Sequence, residues 1–165
     1  MELTLVGGES YIKPCIDGRG ISLTVIPRDR VLVFGRSPEG ELTDVGMVEK
    51  STQGRYYYTL LERRQMDANG YLTITNRLFR SRDSRNLGGE VPLKNVAAYS
   101  NLPECYCFDK PVGSVGLTEM KLPMLNCVDG SFDGVSIYAA ATGLIRAIDR
   151  NEYLLSEEFE RGQSR

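Results

Sequence analysis

Residues 55–80 read RYYYTLLERRQMDANGYLTITNRLFR, and this stretch decides the fold. Two runs rich in aromatic and β-branched residues flank the tetrapeptide Asp67-Ala68-Asn69-Gly70. Both runs favour strands, and Asn-Gly favours a type I′ turn because both residues tolerate positive φ. The stretch therefore predicts a β-hairpin with strands at 55–66 and 71–80.

Two registers are compatible with this hairpin. A two-residue Asn-Gly loop gives three cross-strand pairs: Leu60–Phe79, Glu62–Arg77 and Arg64–Thr75. The alternative register pairs Glu62 with Thr75 instead. A favourable cross-strand pair contributes about 0.2–1 kcal/mol, and the sequence leaves both registers open.

In either register, the side chains of the second strand alternate between two faces. One face carries polar, basic and aromatic residues: Tyr71, Thr73, Thr75, Arg77 and Phe79. The other face carries mostly apolar residues: Leu72, Ile74, Asn76 and Leu78. We expect protein to cover the apolar face and the polar face to stay open.

The polar face combines hydroxyl groups, guanidinium groups and aromatic rings, which contact phosphates and stack on RNA bases. The candidate RNA-binding residues are Tyr71, Thr73, Thr75, Arg77 and Arg64. A solvated sheet face without a ligand is the alternative interpretation. The net charge of the chain is −2, so binding of RNA would need a local basic patch of this kind.

Short runs punctuated by glycine predict the other strands, at residues 2–6, 21–26, 31–34, 42–48 and 115–125, with a further short strand at 96–99. Residues 81–114 are the least regular and predict a long loop. The chain is expected to form one domain over 1–165, mainly β through residue 125 and helical over 133–160. The predicted fold class is α+β, an antiparallel meander followed by one or two C-terminal helices packed on one face of the sheet.

The C-terminal segment changes to the period of an amphipathic helix. Its apolar stripe consists of Ile137, Ala141, Leu144, Ile145 and Ile148. Asp133 is the expected N-cap, and a second short helix is expected after Asn151. A stripe of this kind needs a cover, and the apolar face of a sheet supplies one. We therefore predict that these five residues form the contact between the helix and a sheet, the contact that the resemblance described below places in a dimer.

The chain contains no histidine. Its absence excludes Ser-His-Asp and Cys-His catalysis and every histidine-ligated metal site. The glycine pairs lack the spacing of a phosphate-binding loop, and no carboxylate pair lies in a cleft-forming context. The sequence therefore predicts no enzyme, no metal and no cofactor. It also has no apolar run of about 18 residues, so no membrane-spanning helix is expected.

Two of the four cysteines, Cys105 and Cys107, are separated by one residue. Typical zinc sites use spacings of about two to four residues, so this pair does not indicate a zinc site. Two interpretations stay open. The cysteines are reduced thiols of a cytosolic protein, or they lie on an exposed loop tip and form disulfides between neighbouring subunits.

The order of these elements resembles that of the coat proteins of single-stranded RNA bacteriophages, the levivirus-like coats. The resemblance rests on the predicted pairing of residues 2–6 with 21–26, on the hairpin at 55–80, and on the last strand at 115–125 that leads into a helix at 133–148. It spans nearly the whole chain and is architectural, without a signature motif.

The resemblance implies an interlocked homodimer whose helices lie across the partner's sheet, while the other sheet face contacts packaged RNA. It also implies a self-assembling shell, assembly in the host cytoplasm, a final location in the virion, and a loop in which Cys105 and Cys107 join subunits. The implied partners are the chain itself and single-stranded RNA, with no membrane. Two other functions stay open: a phage tail-tube or tail-terminator subunit, and a non-enzymatic β-rich protein-binding module.

Overall fold

The computed structural model describes residues 2–17, 20–127 and 129–163. The fold is α+β, as predicted, with an antiparallel β-meander followed by a C-terminal helix. The chain divides into two compact units. Residues 10–120 form the first, and the described residues outside that range form the second.

The strands are β1 (Glu9–Asp17), β2 (Gly20–Pro27), β3 (Val31–Arg36), β4 (Leu42–Gln53), β5 (Tyr56–Met66), β6 (Leu72–Ser81), β7 (Gly89–Val91), β8 (Cys105–Cys107) and β9 (Thr118–Lys121). The α-helices are α1 (Glu2–Gly7) and α2 (Thr142–Gln163), and short 3-10 helices lie at Arg28–Arg30, Leu93–Asn95, Ala97–Tyr99 and Ala139–Ala141. The larger sheet has the order β3-β4-β5-β6-β7, with β8 also paired to β6. The smaller sheet has the order β2-β1-β9.

One face of the larger sheet forms the core of the first unit. A first apolar cluster joins it to β1 and to the chain before β9: Tyr11, Val31, Val45, Leu72, Val115 and Leu117. A second cluster joins it to two of the 3-10 helices: Tyr58, Leu60, Leu78, Leu93, Val96 and Tyr99. The cover of this face therefore comes in part from the segment that was predicted to be an irregular loop.

The predicted strand at 96–99 is wrong, because this segment includes the 3-10 helix Ala97–Tyr99. Leu93, Val96 and Tyr99 are spaced by three residues and all are buried. A 3-10 helix has three residues per turn, so this spacing brings side chains onto one side. The same side chains in a strand would not all share one face.

The hairpin of β5 and β6 forms, but both predicted registers are wrong by one residue. Glu62 lies opposite Asn76, between the two predicted partners Arg77 and Thr75. The other pairs shift in the same way, to Leu60–Leu78 and Arg64–Ile74.

The shift arises in the turn. The Asp67 amide donates to the Tyr71 carbonyl at 3.0 Å, so the loop between them has three residues. The Asp67 carboxylate accepts the Asn69 and Tyr71 amides at 2.9 and 2.8 Å. Gly70 has φ +83°, and none of the described residues other than glycine has a positive φ. A type I′ turn needs positive φ at two residues, whereas a three-residue loop with glycine in the left-handed region needs only one.

The N-terminal segment also differs from the prediction. Residues 2–6, expected as a strand, lie in helix α1, and β2 pairs instead with β1. Pro14 lies inside β1, opposite Leu23. Because proline cannot donate a ladder hydrogen bond, it weakened the strand pattern of this segment.

The C-terminal strand and helix also have different bounds from those predicted. The strand predicted at 115–125 is reduced to β9, which ends two residues before Pro123. Helix α2 begins at Thr142, so Asp133 is not its N-cap. It then runs unbroken to Gln163, so no second helix begins at Asn151. Residues 142–163 contain no proline that would interrupt it.

The segment before α2 is held by the N-terminal residues of the same unit. The Gly134 amide donates to the Glu9 carboxylate at 2.6 Å, and the Ile137 amide donates to the Leu5 carbonyl at 3.2 Å. A Cβ on Gly134 would lie 2.5 Å from the Gly8 carbonyl oxygen. Two backbones cross here in direct contact, and this crossing prevents a helix from starting at residue 133.

We predict that Gly134→Ala destabilises the protein by about 1–3 kcal/mol, because the added methyl group must displace backbone atoms. Gly143→Ala is the matched control, since a Cβ there meets nothing within 4 Å. The control should leave stability unchanged or raise it by up to about 1 kcal/mol, because alanine favours helix over glycine. Thermal unfolding followed by circular dichroism measures both. Equal melting temperatures for Gly134→Ala and wild type would show that the crossing is not tightly packed.

Candidate functional site

The face of the larger sheet opposite the core has no part in either apolar cluster, and we call it the open face. Its side chains include Leu32, Phe34, Leu61, Arg63, Gln65, Thr73, Thr75, Arg77, Phe79, Cys105 and Cys107. Leu72 and Leu78 are buried on the core side, whereas Arg77 is exposed. The alternation predicted for the second hairpin strand is therefore confirmed.

Four of the five predicted RNA-binding residues lie together. Thr73, Thr75 and Arg77 occupy alternate positions of β6 on the open face, and Tyr71 is exposed just before the strand begins. Their hydroxyls, guanidinium group and ring are thus presented along one line of the surface. This arrangement suits hydrogen bonds to phosphates and stacking on unpaired bases.

Arg64, the fifth predicted residue, does not belong to this surface. It lies on the core side of β5, where its side chain is only 11% exposed and its Nε donates to Glu62 Oε1 at 2.7 Å. Its Nη1 donates to the carbonyls of Val115 and Gly116, both at 3.0 Å. The one-residue error in register caused this mistake, because Arg63 and not Arg64 lies opposite Thr75.

The two arginines of the open face are each held by a carboxylate. Arg63 donates to both oxygens of Asp44 at 2.9 and 2.6 Å. Arg77 donates to both oxygens of Glu90, also at 2.9 and 2.6 Å. The hydrogen bond from Arg77 holds the pKa of Glu90 below its usual value, so this carboxylate is ionised at neutral pH. The positive charge at the centre of the open face is therefore largely neutralised.

An apolar hollow lies beside these ion pairs. Its volume is about 250 Å³, and its lining includes Leu32, Phe34, Gly46 and Leu61. The Phe34 ring lies over Gly46, where an added Cβ would be 2.9 Å from the ring. The guanidinium carbon of Arg63 is 5.2 Å from the centre of the same ring, a cation–π distance.

The two cysteines predicted to lie in a loop are in strand β8 at the edge of the sheet. Cys105 lies opposite Thr75 and Cys107 opposite Thr73. Both thiols are free and exposed, and Cys107 Sγ is 3.6 Å from Thr73 Oγ1. Because they are two residues apart in a strand, both face the same side. They are accessible to a neighbouring molecule at the border of the open face.

A cluster of three charged side chains fixes the core side of β5. Glu62 pairs with Lys13 from β1 and with Arg64, and the side chains of Glu62, Lys13 and Arg64 are 14%, 21% and 11% exposed. Burial alone would raise the pKa of Glu62, but Lys13 and Arg64 together outweigh it and hold this pKa below its usual value. The cluster joins the β1–β2 hairpin to the sheet that carries the open face.

Apolar side chains of α2 form a second candidate surface. Leu144, Ile145, Ile148, Leu155 and Phe159 lie on one stripe and are 42–70% exposed. Of the residues predicted for helix packing, Leu144, Ile145 and Ile148 belong to α2. Ile137 and Ala141 precede the helix. Their role in a dimer contact stays a prediction.

The β1–β2 hairpin carries a third surface, which the sequence analysis missed. Directly paired residues share a face in an antiparallel ladder. Three such pairs make one face of this hairpin apolar: Ile12–Val25, Pro14–Leu23 and Ile16–Ile21. Ile16 is 87% exposed and Ile21 is 77% exposed. If β1 is recognised as a strand, the apolar residues at alternate positions of β1 and β2 predict this face.

Within residues 2–17, 20–127 and 129–163, no group of three or more cysteine, aspartate or glutamate side chains is arranged to hold a metal ion. In the same part of the chain, no helix is both long and apolar enough to cross a bilayer.

Comparison of the sequence with protein-family models and with curated proteins gives no match.

We predict that Glu62→Gln lowers the free energy of unfolding by about 3 kcal/mol at neutral pH, because it leaves two largely buried cations without their carboxylate. Glu41→Gln removes an exposed carboxylate that forms no described ion pair, and it should change stability little.

The effect should depend on pH in a defined direction. The folded-state pKa of Glu62 lies below its usual value of 4.5. The stabilisation by the ionised Glu62 carboxylate is therefore fully present above about pH 4.5 and is lost as the pH falls through the folded-state pKa. Urea unfolding at several pH values should show the difference between wild type and Glu62→Gln shrinking below that point. A Glu62→Gln protein as stable as the Glu41→Gln control would contradict the structural role of the cluster.

Proposed function

We propose that this chain is a self-assembling structural subunit, a coat protein of the kind found in single-stranded RNA bacteriophages. In this proposal it forms a dimer and then a shell, and it encloses and contacts single-stranded RNA through the open face. It acts without catalysis and without a cofactor. The order of a hairpin, a meander and a C-terminal helix supports the proposal.

The exposed stripe of α2 is the observation that carries the proposal. Helices in proteins owe most of their stability to packing of their apolar face. Burying one large apolar side chain contributes about 1.5–3 kcal/mol, and five of them are exposed along this helix of 22 residues. A contiguous exposed stripe of this size marks an association surface.

The apolar face of the β1–β2 hairpin, which we call the hairpin face, supports a second copy of this chain as the partner. Helix α2 has 22 residues and is about 33 Å long. Strands β1 and β2 have nine and eight residues, so each is about 30 Å long or slightly less. The helix and the two strands are thus similar in length. In a two-fold dimer, the helix of each copy would cover a β-surface of the other, which gives two identical contacts.

RNA is the proposed cargo because of the side chains of the open face. Tyr71, Thr73, Thr75 and Arg77 supply a ring, two hydroxyls and a guanidinium group along one line.

Cys105 and Cys107 border the same face. In the assembled particle these cysteines would join neighbouring subunits.

We predict that Ile145→Asp abolishes dimer and particle formation, because a charge placed in an apolar contact without a partner costs several kcal/mol. Arg150→Asp is the matched control. Residue 150 lies about 140° around the helix from residue 145, so the same side chain there points away from the stripe and assembly should persist. Size-exclusion chromatography with light scattering measures both variants.

Negative-stain microscopy of the wild-type protein completes this test. Round closed particles support the proposal. A folded monomer at micromolar concentration would contradict self-assembly. Tubes or rings would instead indicate a tail-tube or tail-terminator subunit, and a single partner of fixed stoichiometry without self-association would indicate a protein-binding module.

We predict that oxidised particles contain disulfide-linked subunits and that Cys105→Ser with Cys107→Ser removes these species. Cys127→Ser is the control, because Cys127 is also exposed and free but lies outside the sheet. Non-reducing gel electrophoresis measures the linked species. If the same species survive in the double variant, Cys105 and Cys107 do not join subunits.

A further inference from the structure

Cationic side chains gather at one end of the larger sheet, away from the ion pairs of the open face. At this end β4 finishes, β5 begins and β6 finishes, since Tyr57 is paired with both Thr52 and Ser81. We call the group the turn-end patch. It consists of Lys50, Arg55, Arg80, Arg82 and Arg85, all exposed.

The turn-end patch differs from the centre of the open face in its counter-charges. In the part of the chain that the structure describes, none of its five cations forms an ion pair with a carboxylate. Residues 49–57 and 80–86 contain these five cations and two carboxylates, a net charge of +3 on a chain whose net charge is −2.

Both of these carboxylates have other partners. The Asp83 carboxylate accepts the Arg85 amide and the Asn86 side-chain amide, both at 2.9 Å. Glu49 accepts the Tyr99 hydroxyl at 2.8 Å. The guanidinium groups of the patch are thus available to an external anion.

Aromatic rings lie among these cations. The guanidinium carbon of Arg80 is 4.8 Å from the centre of the Tyr56 ring, which holds this side chain beside the turn. Arg80 and Tyr56 lie on the core side of the sheet, whereas Tyr57 is 39% exposed at the same end of the open face. A ring of this kind provides a stacking platform for an unpaired base, and arginine binds phosphate with two parallel hydrogen bonds.

We propose that the turn-end patch binds the phosphate backbone of single-stranded RNA, with Tyr57 stacking on a base. The centre of the open face then contacts the strand without supplying most of the electrostatic attraction. This inference rests on the proposed function for the identity of its ligand. To that function it adds a location, the turn-end patch, at which the phosphate charge of the RNA is neutralised.

Two double variants with equal changes in net charge test this location. Arg55→Gln with Arg82→Gln removes two unpaired cations of the patch. Arg63→Gln with Arg77→Gln removes two cations that are already paired with carboxylates. The measurement is fluorescence anisotropy of a labelled single-stranded RNA titrated with nucleic-acid-free protein at several salt concentrations.

The patch variant should lose about tenfold in affinity at moderate salt. Its plot of log affinity against log salt should become shallower by about 1.4, since each phosphate contact to a single strand contributes about 0.7. The paired-arginine variant should retain the wild-type slope. Equal losses of affinity in both variants would show that only the overall charge matters. A larger loss of affinity in the paired-arginine variant would place the phosphates at the centre of the open face. Either result overturns the inference.

Tyr57→Ala and Tyr57→Phe test the stacking separately. Tyr57→Ala should weaken binding by about fivefold or more without changing the salt slope, and Tyr57→Phe should bind like wild type. Unchanged binding by Tyr57→Ala would remove Tyr57 from the site. If wild-type protein binds no RNA, the inference and the RNA part of the proposed function both fail, while light scattering still decides self-assembly independently.

Discussion

The apolar stripe of α2 is the constraint on which the account depends. Its large side chains are exposed in the single chain, and in the proposed dimer an apolar β-surface of a second copy covers them. The core face of the larger sheet is already covered by β1, by the chain before β9 and by the 3-10 helices Leu93–Asn95 and Ala97–Tyr99. The proposal therefore assigns the open face to RNA and the apolar face of the β1–β2 hairpin to another subunit.

The features that depend on local pattern were predictable from the sequence. The alternation along β6 correctly placed Thr75 and Leu78 on opposite faces of the sheet. The strand-like hydrophobic period of the first part of the chain and the helical period of its C-terminal part correctly predicted the α+β class. The register was not predictable, because the Asp67 carboxylate closes a loop one residue longer than the Asn-Gly pair suggests. One residue of register decided whether Arg63 or Arg64 reaches the open face.

Other errors arose from contacts between residues distant in sequence. The start of α2 depends on a backbone crossing between Gly8 and Gly134, which no local pattern reveals. The same holds for charge. A sequence shows where arginines occur. Only the fold shows that Arg63 and Arg77 are paired with carboxylates, whereas among the described residues the cations of the turn-end patch have no such partner. The distribution of unpaired charge therefore had to come from the structure.

Hydrogen–deuterium exchange of the α2 backbone amides tests the central claim most directly. The account predicts strong protection of residues 144–159 in the wild-type protein at micromolar concentration, with protection lost on dilution as subunits separate. Rapid exchange along the whole helix at every concentration, in a protein whose β-strands remain protected, would show that nothing covers the stripe and would contradict the account.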